Sequence, residues 1–315
     1  MTRSNGKTNT ASKGGHGRST GGRSRQSSRQ GSRQGSRTAP NQRALAEGHV
    51  KAIQMEGYTL LPSEGAEKIA KAVRHGHVVA LKLLRDRGAT KELEILQGLQ
   101  TFNSHQNHTI QLLHVIHSDS TPGDILVMPW QSPLDSFLTG CNNMIASLRN
   151  QLLEGVWFLH EHGIAHLDLK PGNILVGYTD ASSFLPRLSI IDFGISIRVE
   201  GEETLVKGYR GTPGWSAPEV GTEYGTPKEY SAIRADLWSC GQLLWHIGRS
   251  CLGDNTLTFA SIYNRLLSPE PRSRPLLGEV FDSLHCVMMA GKHHSDADGA
   301  LVTQKLSRLS EGSHV

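Results

Sequence analysis

"HLDLKPGNIL", His166–Leu175, places one carboxylate, one lysine and one side-chain amide within six residues, Asp168 to Asn173. Before it, Ile145, Leu148, Leu152, Val156 and Leu159 recur at steps of three and four, which predicts a helix with one buried stripe over 145–162. Gly163 ends that helix, and the apolar run from Ile174 reads as a strand. The stretch is therefore a polar loop fixed between two buried elements. Its three polar groups are candidates for chemistry.

Working outward, Tyr58–Leu61, Lys68–Val73 and Val78–Leu84 alternate as short strands, with a His75-Gly76 turn between the last two. Ala89–Leu99 reads as a helical segment, and Ile110–His117 and Asp124–Trp130 as two more strands. Downstream, Leu237–Ile247 is apolar nearly all round, the pattern of a central buried helix. The expected fold class is α+β, with a small antiparallel β-rich lobe over about 50–130 and a larger α-helical lobe over about 131–290.

Composition separates the ends from this domain. Residues 1–43 hold ten Lys/Arg and no acid, leaving 23 basic against 29 acidic side chains elsewhere, so the sequence pI near 8.9 belongs to the tail. An Arg-Gln-Gly-Ser type repeat runs through Arg25–Ser36. With almost no apolar area to bury, this tail is expected to be disordered, as is the polar stretch 291–315. An Arg/Ser/Gly tail can meet nucleic acid or another anionic partner through phosphates, but no aromatics interleave to stack on bases, so a solvated spacer is the plainer reading. Cys141, Cys240, Cys251 and Cys286 show no paired spacing, and no apolar h-region opens the chain. No signal peptide, disulfide framework or membrane span is expected, and the location read from this is intracellular, cytoplasmic or nuclear. Sixteen histidines invite a metal reading, but no Cys/His set has zinc spacing, and Cys240, His246 and Cys251 read as core packing.

Further short stretches follow in order: "VVALK" (Val78–Lys82), the opening loop, "IIDFG" (Ile190–Gly194), "GTPGWSAPE" (Gly211–Glu219), "ADLWSCG" (Ala235–Gly241) and "RSRP" (Arg272–Pro275). In this order and spacing they resemble the eukaryotic protein kinase superfamily over roughly residues 57–285. The texture of "IAHLDLKPGNILV" and "GYRGTPGW" also resembles divergent fungal kinases, which names no substrate.

The resemblance implies an ATP- and Mg2+-dependent phosphotransferase acting on protein hydroxyls. Asp168 would be the catalytic base, Lys170 would neutralise the moving phosphoryl group, and Asn173 and Asp192 would hold magnesium. Lysine two places after the aspartate resembles the Ser/Thr-specific branch. Lys82 would hold the α/β-phosphates and pair with a helix glutamate. Glu92 is chosen over Glu94 because it shares a face with Ile95, Leu96 and Leu99. Gly65 is the one glycine kept where the family has its phosphate-covering loop. Met128 would guard the back of the nucleotide pocket, and backbone groups of Trp130 would meet the base, Pro129 having no N–H. Thr212 resembles the threonine that binds the catalytic Asp and Lys, Asp236 the anchor of the catalytic loop, and Glu219–Arg274 a buried ion pair.

Several departures matter. Only ten positions separate Lys82 from Glu92, so the helix there is expected to be short. Leu167 replaces the usual arginine, so activity is expected without phosphorylation of Thr204, Tyr209 or Thr212. Asp236 and Arg274 lie 38 residues apart, which removes the place of a substrate-docking helix. The thin glycine loop and reduced lower lobe keep open a second reading, a kinase-fold scaffold or pseudokinase that binds ATP or a protein partner. A small-molecule kinase is the third.

Overall fold

A computed structural model describes residues 45–62, 69–84, 87–138, 142–178, 186–249 and 257–283. The expectations for Gly65, for the tail 1–43 and for the polar end 291–315 lie outside the described residues.

The first lobe is one antiparallel sheet of five strands: β1 (Thr59–Leu60), β2 (Ile69–Arg74), β3 (His77–Leu84), β4 (His114–Ile116) and β5 (Asp124–Pro129), in the order β1-β2-β3-β5-β4. Ala80 lies opposite Met128 and Lys82 opposite Leu126, and directly opposed residues share a sheet face. One face therefore carries Ala80, Lys82, Leu126 and Met128. The other carries Val79, Leu81, Ile125 and Val127, which bury a second, smaller core.

That smaller core is capped by α1 (Glu47–Met55), which the sequence reading placed no helix to match. Its buried positions His49 and Ile53 are four residues apart, and Leu45, just before the helix, is buried with them. His49 is a buried polar group in this apolar stripe. It is held there because its Nε2 donates to the Pro122 carbonyl at 3.1 Å.

Two expectations need correction. The helix bearing Glu92, α2, runs over Arg87–Gln100 and is 14 residues long. What is short is the connection: the helix starts three residues after β3 ends. The strand expected over Ile110–His117 is regular only at His114–Ile116. Its first part pairs elsewhere, with the Ile110 N–H donating to the Ile190 carbonyl at 3.0 Å and the Ile190 N–H to His108 at 2.7 Å. An apolar run can thus leave one sheet and join another without any change in composition.

The second lobe is built on α3 (Asn142–Glu161) and α4 (Ala232–Arg249). Ile145, Leu148, Leu152, Val156 and Leu159 of α3 are fully buried, each contributing about 1.5–3 kcal/mol relative to exposure. Gly163 follows at φ +67°, where a Cβ would sit 2.8 Å from the Val199 carbonyl. α4 is buried on most of its circumference, from Ala232 to Ile247. The strands β6 (Ser132–Pro133), β8 (Ile174–Gly177) and β9 (Arg187–Ile190) form a small sheet beneath the first lobe, and β7 (Ile164–Ala165) pairs with β10 (Ile197–Arg198). β11 (Leu205–Lys207) pairs with β12 (Glu229–Ser231). Between α4 and Arg274, α5 (Leu257–Leu266) is the one α-helix among the described residues. No helix of the described residues is long and apolar enough to cross a membrane.

Candidate active site

The loop of Asp168 is fixed from below by Asp236 of α4, which is fully buried. Its carboxylate accepts the backbone N–H groups of His166 (2.5 Å) and Leu167 (2.7 Å), and His160 Nε2 approaches at 3.2 Å. The bonds hold Leu167 at φ +63°, a conformation that costs a residue with a Cβ about 1–3 kcal/mol. The His166 ring accepts the Asp168 N–H on Nδ1 at 3.2 Å, so its proton sits on Nε2, which donates to the Ile191 carbonyl at 3.0 Å. The Ile191 N–H in turn donates to the Asn173 carbonyl at 3.0 Å. Both backbone polar groups of one residue, next to Asp192, thus stitch the two candidate loops together.

Above this base the Asp168 carboxylate receives three donors. Lys170 Nζ (2.6 Å) and Asn173 Nδ2 (2.9 Å) reach one oxygen, and the Thr212 hydroxyl (2.6 Å) reaches the other. Lys170 also donates to Thr212 at 2.7 Å, closing a triangle. The neighbouring Gly211 permits this approach. It has φ +107°, and a Cβ there would lie 2.8 Å from the Leu167 carbonyl. Sequence reasoning missed that role, and also Ser196, whose buried hydroxyl donates to the His166 carbonyl at 3.0 Å.

Lys82 donates to both oxygens of Glu92 (2.7 and 2.8 Å) and to Asp192 (2.8 Å). Glu92 is 3% exposed while Glu94 faces solvent, which decides between the two. Burial pulls the Lys82 ammonium down, but the carboxylates of Glu92 and then Asp192 outweigh it and hold its pKa above the ordinary 10.5. Burial pushes the Asp192 carboxyl up, and the nearby Lys82 charge more than reverses this, holding it below the ordinary 3.8. Asp192 itself sits at φ +67° and is half exposed.

The Asn173 bonds are made by its Nδ2, which leaves its amide oxygen to a ligand. That oxygen and the half-exposed Asp192 carboxylate are hard donors suited to magnesium. Met128 is buried on the Lys82 face of the sheet. The Trp130 N–H is already bonded to the Val78 carbonyl at 3.3 Å, and its ring carries the Lys71 ammonium at 4.4 Å. Of the Trp130 backbone groups, these bonds leave the carbonyl uncommitted for a base.

The charge missing at position 167 is present nearby. Burial lowers the Lys91 ammonium, and the charges of Arg210 and Arg198 lower it further. The three make no ion pair among the described residues. Farther out, the Glu219–Arg274 pair is bidentate at 2.5 and 2.8 Å, with Arg274 fully buried. Arg274 Nε also donates to the Ser268 carbonyl at 2.9 Å. Cys240 is buried in α4 and its thiol is pushed far up by burial, while His246 bonds Asp135 at 2.9 Å. Cys251 lies outside the described residues.

Residues 64–270 match the protein kinase domain family. The chain belongs to the protein kinase family. It is 33% identical over 153 residues to the CBL-interacting serine/threonine-protein kinase 8 of Arabidopsis thaliana, across 42% of this chain and 32% of that protein. It is 31% identical over 168 residues to a calcium/calmodulin-dependent protein kinase kinase of Caenorhabditis elegans, across 53% of this chain and 27% of that protein. The chain thus spans about a third or less of these curated relatives. Protein kinases generally use ATP and Mg2+. The matched span of this kinase-family chain begins after α1, so the helix capping the first sheet lies outside the family match.

Proposed function

We propose that this chain is a Ser/Thr protein kinase that transfers the ATP γ-phosphoryl group to a protein hydroxyl. The observation that carries this reading is the Asp168–Lys170–Thr212 triangle, with every edge at 2.6–2.7 Å. A carboxylate surrounded by donors is positioned as an acceptor, and a substrate hydroxyl entering there can give it a proton. Lys170 supplies fixed positive charge beside that proton transfer, where charge builds on the transferred group. Lys82, oriented by Glu92, is the candidate for the other phosphates. Asn173 and Asp192 are the candidates to hold Mg2+, which when bound neutralises phosphate charge. Lys170 at two places after Asp168 and Thr212 beside it support the Ser/Thr class. Residues 1–43 are proposed as a separate basic tail for an anionic partner. Deleting them should change binding to RNA or localisation, and unchanged behaviour in both would reduce the tail to a spacer.

One observation favours a scaffold that binds nucleotide weakly or a protein partner. Pro129 has no N–H and the Trp130 N–H is bonded to Val78, so two successive donor positions are lost to a base. Transfer of radiolabelled γ-phosphate from Mg-ATP to a generic basic protein decides between them. Kinase activity predicts label that falls at least about 10²-fold in both Asp168→Asn and Asp192→Ala. Equal label in all three proteins, or none, leaves the scaffold.

A further inference from the structure

A second cavity, of about 500 Å³, lies between the end of α2 and the β8–β9 strands, and shares only the 129–131 stretch with the candidate active site. Its size falls within the roughly 300–1,000 Å³ common for ligand sites. Much of its wall is amide: Gln100, Asn103, Asn107, Gln111 and Gln131. Two of these are committed to the fold. Asn107 Nδ2 donates to the Leu99 carbonyl at 2.9 Å, and its Oδ1 accepts from the Thr109 hydroxyl at 2.7 Å. Gln100 Nε2 donates to the Ile110 carbonyl at 3.2 Å. They make the wall rigid.

Two other groups are left wanting. Gln131 Oε1 is buried with no hydrogen-bond partner among the described residues. An orphaned buried acceptor is costly and calls for a donor from outside the protein's own fold. Arg187 is the one charged side chain lining the cavity. It donates to the Asn107 carbonyl and makes no ion pair among the described residues; the Glu154 carboxylate, whose charge acts on it, is bonded to His108 Nε2 at 3.1 Å. Burial lowers the Arg187 guanidinium and Glu154 offsets this in part. At the rim Phe102 and Tyr178 stand half exposed.

A ligand satisfying all of this presents an N–H to Gln131, a carboxylate to Arg187 and a flat backbone to the two aromatic rings. A bare anion answers Arg187 and leaves Gln131 orphaned. Nucleic acid asks for a row of cations, and this cavity has one. We propose that the cavity is a docking site for a short, extended peptide bearing an acidic side chain, with Arg187 taking the carboxylate and Gln131 Oε1 accepting a backbone N–H.

The test is fluorescence polarisation of the full chain with a positional library of fluorescein-labelled, C-terminally amidated pentapeptides. Mixtures fixed as Asp or Glu should bind about ten-fold tighter than the matching Asn or Gln mixtures, as expected for one charge-assisted contact. Arg187→Gln should erase that preference and Arg187→Lys should keep part of it. Gln131→Leu should weaken all mixtures while leaving the preference for acid. Thermal melts identify any variant that fails to fold, and the remaining two then carry the comparison. The proposal is overturned by any of three results: no acidic preference, a preference that survives Arg187→Gln in folded protein, or displacement of peptide by sodium acetate at equal carboxylate concentration. The first of these would leave water as the occupant, and the last a simple anion.

Discussion

The Thr212 hydroxyl donates to Asp168 at 2.6 Å across 44 residues of sequence, and receives Lys170 at 2.7 Å on the same oxygen. Thr212 therefore sets the distance between a carboxylate and an ammonium that, in the proposed reaction, both face the transferred group. Replacing it by valine keeps the shape and removes both bonds. In Thr212→Val, phosphoryl transfer measured under single-turnover conditions should fall about ten- to hundred-fold, the loss expected for a hydrogen bond to a charged group. Thr212→Ser should recover most of it. Equal rates in all three would show that the triangle does not position Asp168.

Glu219 and Arg274 form the bidentate pair that ties the segment after Thr212 to the end of the second lobe. Arg274 is fully buried, so Glu219→Ala leaves an uncompensated charge inside the fold. Urea unfolding should show a loss of about 3–5 kcal/mol. Arg274 also donates to the Ser268 carbonyl and, at 2.7 Å, to the Arg234 carbonyl, and a loss below about 1 kcal/mol would mean that these bonds are sufficient without Glu219.

The carboxyl of Asp192 is held below its ordinary value of 3.8, chiefly because the Lys82 charge outweighs burial. A depressed acid stabilises the folded state fully above its unfolded pKa, and this stabilisation is lost as pH falls through the folded pKa. Unfolding free energies of wild type and Asp192→Asn should therefore differ by a constant amount above about pH 4 and converge below it. Convergence at higher pH would place the stabilisation on another group.

The candidate site closes without any phosphate: Lys82 meets Glu92, and Asp168 meets Lys170 and Thr212. Leu167 offers no charge, although Lys91, Arg198 and Arg210 converge close by. Phosphatase-treated protein, checked by intact mass, should keep its transfer rate. If the rate collapsed and returned on phosphorylation of Thr204, the three cations would be the receptor that Leu167 is not.

The fold and the chemistry-bearing residues were legible to very different degrees. Period-3.6 and period-2 patterns located α3, α4 and most of the first sheet, because burial on one face imposes those spacings directly. The buried side of α1 was missed since one of its two buried positions is a histidine, whose Nε2 finds a partner only in the distant Pro122 carbonyl. Glu92 was separable from Glu94 by helix face alone. The state of the Trp130 N–H was not, because it depends on where β3 begins relative to the end of β5.

By itself, the sequence determined which groups are available: one ordered set of Lys82, Glu92, Asp168, Lys170, Asn173, Asp192 and Thr212, spaced along 131 positions. Residue type and order fix chemical capacity, and periodic burial fixes the elements that carry it. Tertiary structure alone decided how those groups meet. Asp236 holds Leu167 in a left-handed conformation, Ile191 joins two loops through its own N–H and carbonyl, and Gly211 lets Thr212 approach Asp168. It also left Arg187 and Gln131 facing a shared cavity from distant parts of the chain. Hydrogen bonds require placement to a fraction of an ångström, and that placement is set by packing among segments far apart in sequence.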